Sequence, residues 1–359
     1  MEIGLVGLPL VGKTTFFNLL TGMTAPTGVT GDAKVHTGSA PVPDKRLDFL
    51  TAIYRPQKTT CARVDIKDIP GLDPRRGDRA AGVRFLEEVR GADALCYVVR
   101  AFDAPEIPSY FEAVQPLKEL QEIHSELLFA DIMLIERRLE HIRGGKKIAK
   151  QAVLEIALLE RLLDALNNER AVGNVDLTPE EEEIVPGYGF LTEKPMILAV
   201  NLDEEGLRNN DYPERRPLVD YAAKRDLPVV EVAAQIEAEI ALLAPEDRME
   251  FLRDLGLEEA GVARLATAAY RSLGLISFFT VGEDEVKAWT ITKGTVAKKA
   301  AGKIHSDLER GFIRAEAFHY EDLSRLGTTA KVREAGLFRL EGKEYIVRDG
   351  DILNIRFKV

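Results

Sequence analysis

A glycine-framed octapeptide near the N-terminus, Gly7-Leu8-Pro9-Leu10-Val11-Gly12-Lys13-Thr14, fits the spacing G-x-x-x-x-G-K-[ST]. The run from Glu2 to Val6 before it reads as a buried strand. Phe16, Leu19 and Leu20 after it give a helix with one apolar face. The glycines permit backbone angles that a Cβ forbids, so successive N–H groups can turn inward around a phosphate. A helix beginning at Lys13 points its positive dipole end at the same anion. Lys13 then reaches the β- and γ-phosphates, and the Thr14 hydroxyl is placed to ligate Mg²⁺. A chance Gly-rich turn would lack the strand before and the helix after. Gly7, Leu8, Pro9, Leu10, Val11, Gly12, Lys13, Thr14 and Thr15 are therefore candidate nucleotide contacts.

A chain of 359 residues is too long for one ordinary core, so two or three domains are expected. Its net charge of −11 gives no global attraction to nucleic acid, although the segment from Phe278 onward carries a slight cationic excess. Cys61 and Cys96 both sit in apolar, strand-like runs, which suits reduced thiols better than a disulfide or a metal site. The chain opens directly on a strand, without a basic and then apolar leader. No apolar run is long enough to span a bilayer. A cytosolic protein without a membrane partner is the expectation.

Gly22 is placed to close the first helix. The Thr- and Gly-rich stretch from Met23 to Gly38 is where a first mobile switch would sit, with Thr30 and Asp32 as Mg²⁺ or γ-phosphate candidates or simply part of a surface loop. Alternation from Thr59 to Lys67 predicts a strand ending in Asp68-Ile69-Pro70-Gly71. In phosphate-loop enzymes the Asp of such a D-x-x-G holds Mg²⁺, and the Gly N–H meets the γ-phosphate. Asp68 and Gly71 are the candidates here, and Lys13, Thr14, Asp68 and Gly71 form the candidate catalytic set. Leu72 follows, where Ras-like GTPases place a Gln that orients the attacking water. Slow hydrolysis is expected, or help from elsewhere; Arg75, Arg76 and Arg79 are near in sequence.

Ala94 to Val99, Pro195 to Val200 and Pro228 to Val232 are short continuous apolar runs, as central parallel strands require. With the first strand and the Asp68 strand they make five sheet members, and a doubly wound α/β domain follows. Asn201-Leu202-Asp203-Glu204 stands where GTPases place N-K-x-D, whose Asp accepts two hydrogen bonds from guanine. Glu204 is one methylene longer and Leu202 replaces the Lys, so adenine becomes a candidate base, unless Asp203 shifts register and reads guanine. Asn201, Leu202, Glu204, Ala233 and Ala234 are the base-side candidates.

Leu128, Ile132, Ile135, Leu139 and Ile142, and then Ala152, Ile156, Leu159, Leu163 and Leu166, repeat at coiled-coil spacing on either side of Gly144-Gly145. An antiparallel helical hairpin results. Its tip is basic, with Arg137, Arg138, Arg143, Lys146, Lys147 and Lys150 against Glu140, and is either a solvated end or a finger for RNA phosphates. In the last segment, Phe278 to Val281, Val286 to Ile291, Phe312 to Phe318, Leu337 to Leu340 and Tyr345 to Val347 read as strands, and Gly294 to Lys303 as a helix.

With these motifs in place the chain resembles the YchF / Obg-like ATPase family. The resemblance runs over nearly the whole length. It is carried by Gly7 to Thr15, Pro41 to Leu50, Asp68 to Leu72, Asn201 to Glu204, Ala288 to Glu316 and Glu341 to Asn354. It implies a P-loop NTPase sheet over residues 1–117 and 187–277, an inserted helical hairpin over 118–186, and a β-grasp TGS domain over 278–359. It also implies ATP preferred over GTP and a switch that associates with the ribosome or its RNA; Mg²⁺ as cofactor, ribosomal contact through the TGS domain and basic hairpin tip, and a monomer are the accompanying expectations. A GTPase of the Obg-related class and a nucleotide-gated binding module with negligible hydrolysis are the alternatives. The chain departs from the family pattern at Leu10, where relatives carry Asn that helps hold a monovalent cation. It departs again in the first switch (Pro26 to Asp32), in the shortened stretch Asp73 to Gly82, and at Pro105 to Pro108, where relatives carry a His.

Overall fold

The computed structural model describes residues 1–27, 34–73, 79–144 and 150–358. In chain order the elements are β1 (Glu2–Val6), α1 (Lys13–Thr21), β2 (His36–Val42), α2 (Lys45–Tyr54), β3 (Lys58–Thr60), β4 (Ala62–Asp68), α3 (Arg79–Gly91) and β5 (Ala94–Arg100). The two longest helices come next, α4 (Pro116–Arg143) and α5 (Lys150–Asn167), then α6 (Pro179–Ile184), β6 (Met196–Asn201), α7 (Glu204–Asn209), α8 (Arg215–Ala223) and β7 (Val229–Val232). Three helices follow, α9 (Ala234–Ala241), α10 (Pro245–Asp254) and α11 (Gly261–Ser272). The rest is β8 (Leu275–Thr280), β9 (Glu285–Thr292), α12 (Ala297–Ile304), α13 (Ser306–Arg310), β10 (Phe312–His319), α14 (Tyr320–Leu326), α15 (Thr329–Glu334), β11 (Arg339–Glu341) and β12 (Asp351–Phe357).

Contacts divide the chain into two units, Met1–Gly38 with Asp65–Leu265, and Ser39–Val64 with Ala266–Val359. The first sheet has the order β2-β4-β1-β5-β6-β7. β1 runs parallel to both β4 and β5, and β5, β6 and β7 continue in parallel. Every residue of β5 is buried, as a central strand covered on both faces must be. This is the doubly wound α/β sheet that the apolar runs predict, with β2 as an additional member. His36-Thr-Gly-Ser-Ala-Pro-Val has no apolar run, and an edge position asks for none; Pro41 is tolerated there.

α4 and α5 form the helical hairpin, with Leu128, Ile135 and Leu139 packed with Leu158, Leu159, Leu162 and Leu166. Ile132, Ile142, Ile156 and Leu163 are only partly buried. The stripe on α5 is wider than a two-helix seam because Val172, Val185 and Phe190 pack on the same cluster. Asp131, fully buried, accepts hydrogen bonds from the N–H groups of Leu191 (2.9 Å) and Thr192 (2.9 Å) and from the Thr192 hydroxyl (2.8 Å), pinning α4 to the segment before β6.

The second sheet has the order β11-β10-β12-β8-β9-β3. The single strand expected from Thr59 to Lys67 is in fact two. Lys58–Thr60 pairs in parallel with β9, whereas only Ala62–Asp68, where Ala62, Val64 and Ile66 are buried, enters the first sheet. Tyr345 to Val347 is not a strand; Ile346 makes one isolated bridge with Val296. There the chain curls so that Asp351 accepts from the Tyr345 hydroxyl (2.7 Å) and the Arg348 N–H (2.9 Å), and the strand proper begins after the Asp349-Gly350 turn. Phe278, Ile291, Ala297, Ala300, Ala317, Val347 and Leu353 form the core beneath α12.

Candidate nucleotide-binding site

β1 delivers the chain into the Gly7–Gly12 loop, and α1 starts at Lys13 as its sequence requires. Gly12 has φ 102°, and a Cβ there would collide with the Asn201 amide nitrogen, so glycine is demanded twice over. Leu10 also has a positive φ, 64°, a region in which a branched side chain is strained. Lys13, 7 % exposed, folds its ammonium onto the loop and donates to the carbonyls of Leu8 (2.7 Å) and Gly7 (3.2 Å). Burial lowers its pKa to about 8, opposed by the nearby charges of Asp68 and Glu119.

Asp68 ends β4 beside this loop, and the Thr14 hydroxyl donates to its carboxylate at 2.7 Å. Burial raises the Asp68 pKa, while the Thr14 bond and the charges of Lys13 and His36 pull it down. A Cβ on Gly71 would lie 2.8 Å from both Lys13 Nζ and the Pro9 nitrogen. The D-x-x-G backbone therefore lies directly against the phosphate loop, at a separation only glycine allows. Leu72 turns its side chain into the interior. Arg79 is exposed at the start of α3; Thr30, Asp32, Arg75 and Arg76 lie outside the described residues.

Two hard oxygens, Thr14 Oγ1 and Asp68 Oδ2, thus converge at hydrogen-bonding distance. That donor pair suits Mg²⁺, which takes few protein ligands and completes its shell with phosphate oxygens and water. Among the described residues no group of three or more His, Cys, Asp or Glu side chains could hold a metal by itself.

On the base side, Asn201 is buried at the end of β6 and works as a stitch. Its amide donates to the Val11 carbonyl (3.0 Å) and its oxygen accepts from the Ala234 N–H (3.3 Å). Leu202 is buried and Ala233 is the N-cap of α9. Asp203 caps α7, accepting from the Gly206 N–H at 2.8 Å. Glu204 is exposed and pairs with Arg208 at 2.8 Å.

Residues that no motif pointed to complete the site. Glu119, 2 % exposed on α4, accepts from the Arg100 N–H at 2.7 Å, and its other oxygen is buried without a partner. Burial pushes its pKa up to about 7, against the pull of Arg100 and Lys13, while Glu214 pushes the same way as burial. His36, from β2, lies near enough to Asp68 to act on its charge. Neither sits in a spacing that sequence reading recognises; only the fold brings them to the loop.

Comparison with known proteins agrees with this geometry. A family model described as a 50S ribosome-binding GTPase matches residues 2–138. A second family, YchF-GTPase_C, described as a protein of unknown function, matches residues 275–358. The chain is 41 % identical to the ribosome-binding ATPase YchF of Haemophilus influenzae, over 100 % of this chain and 99 % of that protein. It is also 41 % identical to the protein of the same name from Bacillus subtilis, over the full length of both. Among solved structures it resembles the YchF GTPase of Schizosaccharomyces pombe, with TM-score 0.86 and 30 % identity, covering 99 % of this chain and 97 % of the other.

Proposed function

The chain belongs to the YchF family, and on that premise we propose that it binds and slowly hydrolyses ATP with Mg²⁺ and acts as a nucleotide-controlled switch on the ribosome. The observation that carries this reading is the convergence of Lys13, the Thr14–Asp68 pair and the Gly71 backbone on the Gly7–Gly12 loop. In this reading the Lys13 ammonium leaves the Leu8 and Gly7 carbonyls for the β- and γ-phosphates. Thr14 and Asp68 would hold the metal, which would supply charge neutralisation at the phosphates. The Gly71 N–H senses the γ-phosphate. Asn201, Leu202, Ala233 and Ala234 shape the base end, and Glu204 meets the base.

Residues 1–117 and 187–277 are read as the nucleotide domain, 118–186 as the inserted hairpin, and 278–359 as a TGS domain. The TGS domain and the basic hairpin tip would meet ribosomal RNA in the cytoplasm, with the protein acting as a monomer. The buried Leu72 stands where a water-orienting group would be, which favours slow turnover and lends weight to the second reading, a nucleotide-gated module in which hydrolysis is incidental.

Single-turnover hydrolysis of ATP and GTP, with and without ribosomes, separates these readings. A measurable, ribosome-stimulated ATP rate supports the enzyme, and a negligible rate in both conditions supports the module. Lys13→Ala should abolish tight binding of either nucleotide; retained binding would refute the role given to Lys13.

A further inference from the structure

Arg100 is the last residue of β5 and is 2 % exposed. Its guanidinium does not reach solvent. It donates to the carbonyls of Phe102 (3.1 Å), Ile107 (3.0 Å), Pro108 (3.3 Å) and Ala104 (3.3 Å), and lies 4.5 Å from the centre of the Phe102 ring. The loop 101–108 is therefore wound around one cation. Glu119 fixes the root of that winding by holding the Arg100 N–H.

The same loop is stitched to the base-side segment at two points. The Ala101 N–H donates to the Asn201 carbonyl at 2.9 Å, and the Asp103 N–H donates to Asp203 Oδ2 at 3.2 Å. The other Asp203 oxygen already caps α7 through Gly206. Both oxygens of Asp203, the carboxylate that could read guanine by a shift of register, are thus engaged, one by its own helix and one by the Arg100 loop, while Glu204 is paired with Arg208. The two N–H groups fix the plane of this carboxylate, and to present both oxygens to the N1–H and 2-amino group of guanine Asp203 would have to turn out of that plane, a turn that loss of the Asp103 N–H would free. Adenine makes no such demand, because it has an acceptor at N1 and nothing at C2. Its 6-amino group is a donor for a carboxylate or a carbonyl.

Resting on the nucleotide reading above, we propose that the Arg100-centred loop sets base specificity by fixing the Asp203 carboxylate away from the orientation that reads guanine, so that a 6-amino purine is favoured over a 2-amino one. Arg100, Asp103 and Glu119 are positioning residues in this scheme, acting through Asp203 and not on the nucleotide itself.

The test is the ratio of Kd for GDP to Kd for ADP, by calorimetry on the full chain. Asp103→Pro deletes the one N–H that holds Asp203 Oδ2, on an exposed loop residue; Asp103→Ala removes the side chain but keeps that N–H. The Pro variant should lower the ratio at least fivefold toward GDP, and the Ala variant should leave it within twofold of wild type. Asp203→Asn keeps an equally good helix cap. It should shift both affinities together, because Asp203 does not read the base. A ratio unmoved by Asp103→Pro, or a selective loss of GDP binding in Asp203→Asn, would overturn the proposal while leaving nucleotide binding intact. A wild-type chain that bound neither nucleotide would remove both this inference and the reading beneath it. A loss of thermal stability in Asp103→Pro with an unchanged ratio would make the loop a structural brace only, and also counts against the proposal.

Discussion

At the scale of single residues, Leu10 is the exception in an otherwise well-adapted phosphate loop. Its φ of 64° belongs to a region where L side chains cost about 1–2 kcal/mol. Leu10→Gly should raise the stability of the protein by about 1 kcal/mol in urea unfolding, part of the strain relief being offset by the freer unfolded chain. A destabilised variant would show that the loop is not strained there. His124 carries a different tension. It is 5 % exposed on α4, edge-on to the Tyr97 ring, and its Nε2 is buried without a partner. Burial, helped by the Arg225 charge, lowers its pKa from 6.5 to about 4. The unfolded chain therefore takes up this proton first as pH falls. The stability gained from keeping His124 neutral is complete above about pH 6.5 and is lost as the pH drops toward 4, to the extent of roughly 3 kcal/mol. His124→Leu should flatten the unfolding free energy between pH 4.5 and 6.5; an unchanged slope would assign the acid sensitivity to other groups.

At the scale of elements, the hairpin shows how tertiary partners redraw a sequence pattern. Heptad spacing located both helices, since a stripe of aliphatic side chains has few other uses; Gly145, Lys146 and Lys147 of the expected turn lie outside the described residues. It did not locate the ion pairs that cross them. Arg138 is held by Glu155 at 2.7 Å and Arg143 by Glu160, so two of the cations assigned to the tip are already matched from α5. Arg137 remains an exposed cation of the described part. Replacing Arg137, Lys146 and Lys147 by Glu should weaken co-sedimentation with ribosomes several-fold and flatten its salt dependence, because each phosphate contact contributes through counter-ion release. Unchanged sedimentation would make the tip a plain solvated end. β2, β3 and β12 were hidden for a related reason. The edge strands β2 and β3 carry no continuous apolar run, and β12, though interior to its sheet, exposes Asn354, Arg356 and Phe357 in its second half, whereas the fully buried β5 and β6 are legible from composition alone.

At the scale of the whole molecule, the legible part of the site is the part whose chemistry is written in backbone. Gly12 and Gly71 can be read because a close approach admits no other residue there, and Lys13, Thr14 and Asp68 because a metal-bound polyphosphate needs those groups at fixed spacing from a strand end. Arg100, Glu119 and His36 could not be read. Each acts across the fold, from β5, α4 and β2, and a buried cation gripping carbonyls leaves no sequence period behind. The hydrogen bond that holds Asp203, from a loop a hundred residues earlier, was hidden from the sequence for the same reason.

α4, 28 residues long, carries Glu119 in its first turn, near enough to Lys13 to act on its charge, and ends at Arg143. A helix of that length is a stiff rod of about 42 Å. A tilt of about 5° around the Glu119 attachment would sweep the far end through roughly 3 Å, about the length of a hydrogen bond. The hydrolysis of a single phosphate would then be felt, magnified, at the distance of a neighbouring macromolecule.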